Sequence, residues 1–236
     1  MIYKFGIIEK LLLNTNVIPH PLADAASNVG LAKALILAAK LGITDKLSAT
    51  PQSSSALAKE CGISRKGCLL ILDCLEALGY VTKSGDNFSF NKRGKKFLDP
   101  NSPDSFKYFI LFSGMLLESY ADLEQTIVSG EGSLNNLENY NEHEWELFSR
   151  AMIEISRSNL GEVISKIKIQ PNAKKIIDLG GGHGQYSIGL CQKKAGLKAT
   201  ILDFEPVRKY ADECISRENI KDQVDFKACN FITEDL

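Results

Sequence analysis

The chain has 236 residues, of which 44% are hydrophobic, enough for one large domain or two modest ones with a real core. Its 28 basic and 29 acidic side chains leave a formal net charge of −1, which argues against the broad positive field that nucleic acid or an anionic membrane requires. The six cysteines include no C-x-x-C pair and no histidines at ligand spacing. We therefore expect a cytoplasmic protein with reduced thiols, no bound metal, and a small molecule or a protein as its partner.

The first twenty residues, MIYKFGIIEKLLLNTNVIPH, are apolar but include Lys4, Glu9 and Lys10. They have no small-residue cleavage site, and they are too short and too charged to span a bilayer. This segment is typical of an amphipathic helix or arm, and we expect no membrane partner.

Three helices and a hairpin are predicted next. The helices span Leu22 to Leu41, Ser54 to Cys61 and Arg65 to Leu78, and each is followed by a glycine that suits a helix C-terminus. Two short strands, Tyr80 to Lys83 and Asn87 to Phe90, are joined through the turn sequence SGD. This order predicts a winged helix-turn-helix domain over residues 1–103.

A winged helix raises the alternative of DNA binding, and the basic sequence NKRGKKF at 91–97 lies beside the wing. The third helix, however, carries Arg65 and Lys66 only at its start and then Asp73 and Glu76, so few side chains could read base edges. The apolar surplus of the helix at 22–41 and of the N-terminal arm favours a homodimer interface. We therefore expect dimerisation through this domain and no nucleic-acid partner.

Residues 104–170 are predicted as a helical connector whose aromatic and methionine side chains recur on common faces, which is typical of core packing. From Lys174 onward the pattern changes. Strands in KKIIDLGGG, KATILDF and VDFKACNF alternate with helices in YSIGLCQKKA and PVRKYADECISREN. This alternation predicts a parallel α/β sheet with right-handed crossovers over residues 171–236.

The strongest motif is IIDLGGGHGQYS at 176–187, in the turn between the first parallel strand and its helix. The dinucleotide pattern G-x-G-x-x-G fails because its third glycine falls on Gln185 or Ser187, and no Gly-Lys-Ser/Thr follows as a P-loop requires. The run fits D-x-G-x-G-x-G instead. Ligands of parallel sheets bind outside the carboxyl ends of the strands, so these glycines indicate a nucleotide-like ligand.

A ribose partner is predicted at the end of the second strand, where TILDFEP places Asp203. A carboxylate there can accept hydrogen bonds from two vicinal hydroxyls. Glu205 is the near competitor, and an aspartate at a strand end can also simply cap the following helix. Together with the glycine run, the spacing favours the ribose role for Asp203.

These residues resemble a known family. DLGGGHG, ILDFEPV and VDFKACNFITEDL, preceded by the winged-helix region and by FSRAM, are similar to the dimeric class I O-methyltransferases of the caffeate, hydroxyindole and bacterial polyketide type, which use S-adenosylmethionine. The resemblance covers the whole chain. It implies a mainly α winged-helix dimerisation domain followed by an incomplete α/β Rossmann-like methyltransferase domain with three parallel strands.

The resemblance also implies roles for single residues. Phe148 and Met152 would line the acceptor cavity. Asn230 stands where the family usually has Asp, Cys229 where Gly is common, and His183 is expected to be a loop residue without chemistry. The implied cofactor contacts are Asp178, Gly180, Gly181, Gly182, Gly184, Asp203, Asn230, Phe231 and Ser156.

Family members continue well beyond the point that corresponds to Leu236, and their further segment carries the catalytic base. One flank of the strand Ile176 to Leu179 would then be an open ladder of backbone groups. The chain could be a fragment, one subunit of a split enzyme, or a relic without catalysis. We favour a subunit that a second polypeptide completes and that supplies the missing base.

The expected function is S-adenosylmethionine-dependent methyl transfer to a hydroxyl of a small aromatic or polycyclic metabolite, or the cofactor-binding, dimerising half of such an enzyme. The alternatives are a cofactor-binding scaffold without catalysis and a regulatory winged-helix protein.

Overall fold

The computed structural model describes residues 28–131, 137–231 and 233. The chain divides into two compact units, Met1–Glu118 and Ser119–Leu236. Each unit has its own core of buried side chains. The predicted N-terminal arm and the first residues of the helix predicted at 22–41 lie outside the described residues.

The first unit is mainly helical. Its helices are α1 (Asn28–Lys40), α2 (Ile43–Ala49), α3 (Ser54–Glu60), α4 (Arg65–Ala77), α5 (Lys92–Phe97) and α6 (Lys107–Ser119). The side chains of Ser53, Ser64 and Asn91 accept hydrogen bonds from the first free N–H groups of α3, α4 and α5, which is the usual role of an N-cap. The predicted helices at 54–61 and 65–78 are thereby confirmed within one residue.

A small antiparallel sheet completes this unit, with strands β1 (Gln52–Ser53), β2 (Val81–Ser84) and β3 (Asn87–Phe90) in the order β1-β3-β2. The predicted hairpin is β2 and β3, with Val81 opposite Phe90 and Gly85 at a φ of +58° in the turn. Val81, Phe88 and Phe90 are buried against Leu57 and Leu72. The basic run at 91–97 forms α5, a helix that was not predicted from the sequence.

The second unit begins with helices. A 3-10 turn (Tyr120–Asp122) leads into α7 (Leu123–Ser129), and after a second 3-10 turn (Leu137–Asn139) comes the 25-residue helix α8 (Glu142–Lys166). The prediction of a helical connector over 104–170 was wrong in one respect, because the helix is interrupted. Gly130 ends α7 at a φ of +73°, and Asn141 starts α8 with a capping box shared with Glu144, so the helix restarts there.

A parallel sheet follows, as predicted from the alternating pattern. It consists of β4 (Lys175–Leu179), β5 (Lys198–Asp203) and β6 (Val224–Ala228) in sequence order, with α9 (Gln185–Lys193) and α10 (Arg208–Arg217) as the connecting helices. Ile176 pairs with Ala199, and Ile201 pairs with Phe226. Both helices pack on the face of the sheet that carries Ala199, Ile201 and Val224.

The opposite face of this sheet carries Ile177 on β4, which is 71% exposed, and Leu179, which is 52% exposed. Within the described residues, β4 pairs with β5 on one side and with no strand on the other. These two exposed apolar side chains and the unpaired strand edge form a surface that other polypeptide can cover. None of the described helices is long and apolar enough to cross a membrane.

Candidate functional site

A cavity of about 340 Å³ lies at the carboxyl ends of β4 and β5, within the second unit. Small-molecule sites commonly have volumes of roughly 300–1,000 Å³. Helix α8 forms one wall with Trp145, Phe148, Ser149, Met152, Ile155 and Ser156. The opposite wall is formed by the end of β4, the glycine loop, the start of α9, the end of β5 with the 3-10 turn Glu205–Val207, and the segment after β6. Its residues are Asp178, Gly180, Gly181, Gly182, His183, Tyr186, Asp203, Phe204, Val207 and Phe231.

The glycine loop leaves no room for side chains at two positions. A Cβ on Gly181 would lie 2.6 Å from the carboxyl carbon of Asp178, and a Cβ on Gly184 would collide with the buried side chain of Ile201. Gly180, Gly182 and Gly184 all have φ between +56° and +72°, a region that side chains rarely adopt. The loop therefore presents bare backbone to the cavity.

Asp203, which is 8% exposed, ties the loop to the end of β5. Its Oδ2 accepts the backbone N–H of Gly182 at 2.7 Å, and its Oδ1 accepts the N–H of Phe204 at 2.7 Å. Burial raises the pKa of this carboxyl, while the two N–H groups act in the opposite direction. A carboxylate has about four acceptor positions, so both oxygens keep capacity for ligand hydroxyls.

Glu205, the competing acid, lies elsewhere. It is exposed and its two oxygens accept hydrogen bonds from Nε of Arg208 at 2.8 and 3.0 Å. It does not line the cavity. Of the two candidate acids, only Asp203 faces the glycine loop.

Aromatic rings close the end of the cavity beyond Asp203. The ring centroids of Phe204 and Phe231 are 5.3 Å apart, and those of Trp145 and Phe204 are 6.1 Å apart. Aromatic faces of this kind stack on nucleobases in a sequence-tolerant way. The cavity thus combines a carboxylate with flat apolar surfaces.

Polar contacts join α8 to the glycine loop and to α9. The Ser156 hydroxyl donates to Oε1 of Gln185 at 2.6 Å, and the Tyr186 hydroxyl donates to Oδ1 of Asn159 at 2.8 Å. Nδ1 of His183 accepts the N–H of Gln185 at 3.2 Å, and its ring also hydrogen-bonds the backbone carbonyl of Met152. We call this set of contacts, made by Ser156, Tyr186 and His183, the α8–α9 seam.

His183 is buried, and burial lowers the pKa of its imidazole to about 4. The ring is therefore neutral at physiological pH, with one nitrogen accepting and the other donating. Because both nitrogens already have backbone partners, His183 orients the loop and has no free nitrogen to act as a base.

The structure brings most of the residues implied by the family resemblance into one cavity. Asp178, the loop at 180–182, Asp203, Phe231 and the three α8 residues Phe148, Met152 and Ser156 all line it. Gly184 lies behind the loop as the N-cap of α9. Asn230 is half-buried and does not line the cavity.

Sequence reasoning missed several lining residues: Phe204, Val207, Tyr186, Ile155 and Ser149. Phe204 and Tyr186 had a usable signal, since one follows the strand-end aspartate and the other follows the glycine run. Ser149 had none, because a serine within a helix is normally only a solvated or capping residue. The described residues contain no cluster of His, Cys, Asp and Glu able to hold a metal.

Residues 122–236 match the O-methyltransferase domain family. The match covers nearly all of the second unit. A relative from Streptomyces lavendulae, mitomycin biosynthesis 6-O-methyltransferase, is 25% identical over 211 residues, which are 85% of this chain and 60% of that protein. The 3-hydroxy-5-methyl-1-naphthoate 3-O-methyltransferase of Streptomyces sahachiroi is 23% identical over 226 residues, 92% of this chain and 65% of that protein.

The fold is also that of solved methyltransferases. The crystal structure of human N-acetylserotonin methyltransferase in complex with S-adenosylmethionine superimposes with a TM-score of 0.76 at 22% identity, covering 99% of this chain and 69% of that one. At this identity the likeness shows the fold alone. The chain spans between 60% and 65% of the length of the two curated O-methyltransferases.

Proposed function

We propose that the chain binds S-adenosylmethionine and serves methyl transfer to a hydroxyl of a small aromatic or polycyclic metabolite. The observation that carries the proposal is the hydrogen bond of 2.7 Å from the N–H of Gly182 to Asp203. It places a buried carboxylate against a bare glycine loop at the end of a parallel sheet, where such folds bind nucleoside ligands. The names of the two Streptomyces relatives support the reaction type.

The residues present fit this cofactor. Asp203 would accept the two ribose hydroxyls, the aromatic surface of Phe204 and Phe231 would pack against the adenine, and the loop at 180–182 would lie under the methionine part. The crowding of a Cβ at Gly181 against Asp178 explains why the loop has no side chains on that side. When bound, the cofactor supplies an electrophilic methyl group on a sulfonium.

Phe148 and Met152 lie on the same wall of the cavity, on α8. We propose that they form the apolar side of the acceptor site, since flat apolar side chains suit an aromatic acceptor and exclude water from the methyl group. Transfer to oxygen also requires a base that takes the proton of the acceptor hydroxyl. We assign that role to no described residue, because His183 has both nitrogens engaged.

We also propose that a second polypeptide supplies the base and covers the exposed face of the parallel sheet. Support comes from Ile177 and Leu179, which leave more than half of their surface in solvent on that face, and from the edge of β4. Covering these two apolar side chains would remove their surface from water and stabilise the sheet. Added strands would pair with β4, and added helices would cover these two residues.

For the first unit, the finer prediction remains a winged-helix domain that dimerises, in a cytoplasmic protein. The winged-helix part is supported by helices α3 and α4 and by the hairpin β2–β3 that follows them. The dimer is supported by Leu70 on α4, which is 58% exposed. The segments proposed from the sequence are a dimerisation domain over 1–103, a connector over 104–170 and a cofactor-binding part over 171–236.

The experiment is calorimetric titration of the full chain with S-adenosylhomocysteine, followed by incubation with S-adenosylmethionine and a panel of phenols. We expect binding that Asp203→Ala abolishes and that the matched control Glu205→Ala leaves unchanged. Equal affinity of Asp203→Ala and the unaltered protein would refute the proposed site.

A second candidate is a cofactor-binding scaffold without catalysis. The engaged imidazole of His183 favours it, since no other imidazole lines the cavity among the described residues. Binding of S-adenosylhomocysteine with no methylated phenol, even after co-purification with the proteins that accompany the chain in its own cells, would support the scaffold over the enzyme.

A further inference from the structure

The face of the parallel sheet that α9 and α10 leave uncovered changes character along strands β4 and β5. From the middle of the strands to their carboxyl ends it carries the apolar side chains Ile177, Leu179 and Leu202. At the amino ends it carries Lys175 of β4 and Lys198 of β5, which are both exposed. These five residues belong to a groove of about 970 Å³, and we call the surface they form the free face of the sheet.

The two lysines of the free face stand side by side. Lys175 and Lys198 are paired in register, on strands whose backbones lie about 4.8 Å apart. Neither ammonium group has a carboxylate partner among the described residues. Like charges this close repel unless an opposite charge lies near them. A carboxylate placed between the two side chains would therefore stabilise this end of the sheet.

The whole groove shares this excess of positive charge. The charged residues that line it, in the described part of the chain, are Lys175, Lys198, Lys221, Lys227, Asp222 and Asp225. Of the two acids, Asp225 already accepts a hydrogen bond from the hydroxyl of Thr200 at 2.8 Å. The complete chain has 28 basic and 29 acidic side chains, so the excess of lysines is a local property of this surface.

The combination of apolar and basic residues disfavours two kinds of occupant. A second copy of the chain, packed face to face, would bring its own lysines against Lys175 and Lys198. A nucleic acid would neutralise the lysines but would leave Ile177 and Leu179 without an apolar cover. An acidic polypeptide with an apolar stripe satisfies both parts of the surface.

Lysines at the amino edge of the same sheet already bind backbone carbonyl groups, including those of a helix end. Nζ of Lys193, the last residue of α9, donates to the carbonyl of Ile164 in the last turn of α8 at 2.9 Å. Nζ of Lys194 donates to the carbonyls of Gln170 and Pro171 at 2.6 and 3.0 Å. The last carbonyls of a helix carry partial negative charge, which suits such cations. On the free face the described residues place no helix end beside the lysines.

We propose that the free face binds an amphipathic helix of an acidic partner polypeptide. Its apolar turns cover Ile177, Leu179 and Leu202, and its C-terminal end places carboxylates at Lys175 and Lys198. This inference rests on the proposed function, because it names the chemistry of the polypeptide that covers the sheet.

The helix runs antiparallel to the strands, as α9 and α10 do on the opposite face, since connections between parallel strands return from the carboxyl edge to the amino edge. Its partly negative C-terminus then lies at the lysines. A helix of about 12 residues is about 18 Å long. That length matches the five residues of β4, which span about 17 Å.

The test uses two synthetic helical peptides of about 12 residues with the same leucine face and amidated ends. One carries two glutamates in its last turn and the other carries two lysines there. By fluorescence anisotropy with the full chain, we expect the glutamate peptide to bind about 10-fold more tightly. Equal affinities, tighter binding of the lysine peptide, or no binding of either peptide would overturn the proposal.

Charge reversal identifies the lysines responsible. The double variant Lys175→Glu and Lys198→Glu should prefer the lysine peptide. Lys227→Glu is the matched control, because Lys227 lies on the same face but pairs with Leu202 near the carboxyl ends of the strands, beyond the range of unscreened attraction. It should keep the preference for the glutamate peptide. The same loss of preference in both variants would show that only total charge matters and would refute the assigned contact.

Cross-linking with a carbodiimide locates the bound peptide, because this reagent joins carboxylates to amines that lie in contact. We expect the glutamates of the peptide to be joined to Lys175 or Lys198. A link from these lysines to a second copy of the chain would assign the face to a homodimer and overturn the proposal.

Calorimetry with S-adenosylhomocysteine on the same protein separates this inference from its basis. If S-adenosylhomocysteine binds but the chain does not distinguish the two peptides, the cofactor site stands and the acidic partner is refuted. If the glutamate peptide is preferred but S-adenosylhomocysteine does not bind, the cofactor proposal has failed and the docking surface stands.

Discussion

Ser156 and Gln185 are 29 residues apart in the chain, yet the hydroxyl of the first donates to the side-chain oxygen of the second at 2.6 Å. The contact is buried, and it joins the wall of the cavity on α8 to the first residue of α9. Together with the bonds of His183 and Tyr186 it sets the distance between α8 and the glycine loop. The width of the cavity therefore depends on side chains that need not touch the ligand.

Ser156→Ala should lower the free energy of unfolding by about 1–3 kcal/mol, because Gln185 is left with a buried, unsatisfied oxygen. Chemical denaturation of Ser156→Ala, Gln185→Ala and the double variant forms a cycle that measures the coupling between the two residues. If the Ser156 hydroxyl instead contacts the cofactor, as the family resemblance implies, Ser156→Ala should also weaken S-adenosylhomocysteine in the Gln185→Ala background.

Gly184→Ala should destabilise the protein by about 2–3 kcal/mol, since overpacking and a left-handed backbone both oppose a side chain there. The φ of Gly184 is +72°, and its Cβ would collide with Ile201. Gly161→Ala on α8 is the matched control, because a Cβ there meets nothing within 4 Å. The control should be neutral or slightly stabilising in thermal unfolding; equal behaviour of the two variants would contradict this account of the loop.

His183 should make the stability of the protein depend on pH. Burial lowers its pKa in the folded state from 6.5 to about 4, so between these values the unfolded chain binds more protons than the folded one. The free energy of unfolding is therefore undiminished above pH 6.5. It decreases as the pH falls toward 4, by about 3 kcal/mol in all. His183→Gln should remove this part of the slope in denaturation curves measured from pH 7 to 4. If His183→Gln and the unaltered protein showed the same pH dependence of stability, the imidazole would be accessible to solvent and its pKa would not be lowered.

Asp203 should make cofactor affinity sensitive to acid. Burial raises the pKa of its carboxyl, and only the ionised form offers every oxygen position to ligand hydroxyls. The affinity for S-adenosylhomocysteine should therefore be full at neutral pH and decline on acidification at a pH above the ordinary range of an aspartate. Calorimetry as a function of pH measures this decline. Asp203→Asn should bind weakly and lack the step, whereas a step of unchanged size in that variant would assign it to another group.

Short sequence patterns were enough to predict helices, strands and the glycine loop. Glycines after helices, serine caps and the turn in SGD predicted α3, α4 and the β2–β3 hairpin because they act over a few residues. The run at 180–184 was readable because positive φ and close backbone approach leave few residues other than glycine. Asp203 followed from strand periodicity, which places the last residue of β5 at the carboxyl edge of the sheet.

The partners of these residues could not be read in the same way. The seam from α8 to α9 and the approach of Phe204 to Trp145 and Phe231 both join residues that are distant in sequence. The sequence by itself determined the order of strands and helices and the chemistry of the glycine loop, because both depend on short-range backbone preference. The tertiary structure decided which acid faces the loop, that His183 is neutral and engaged, and that Asn230 lies outside the cavity, because burial and pairing arise only when distant segments pack together.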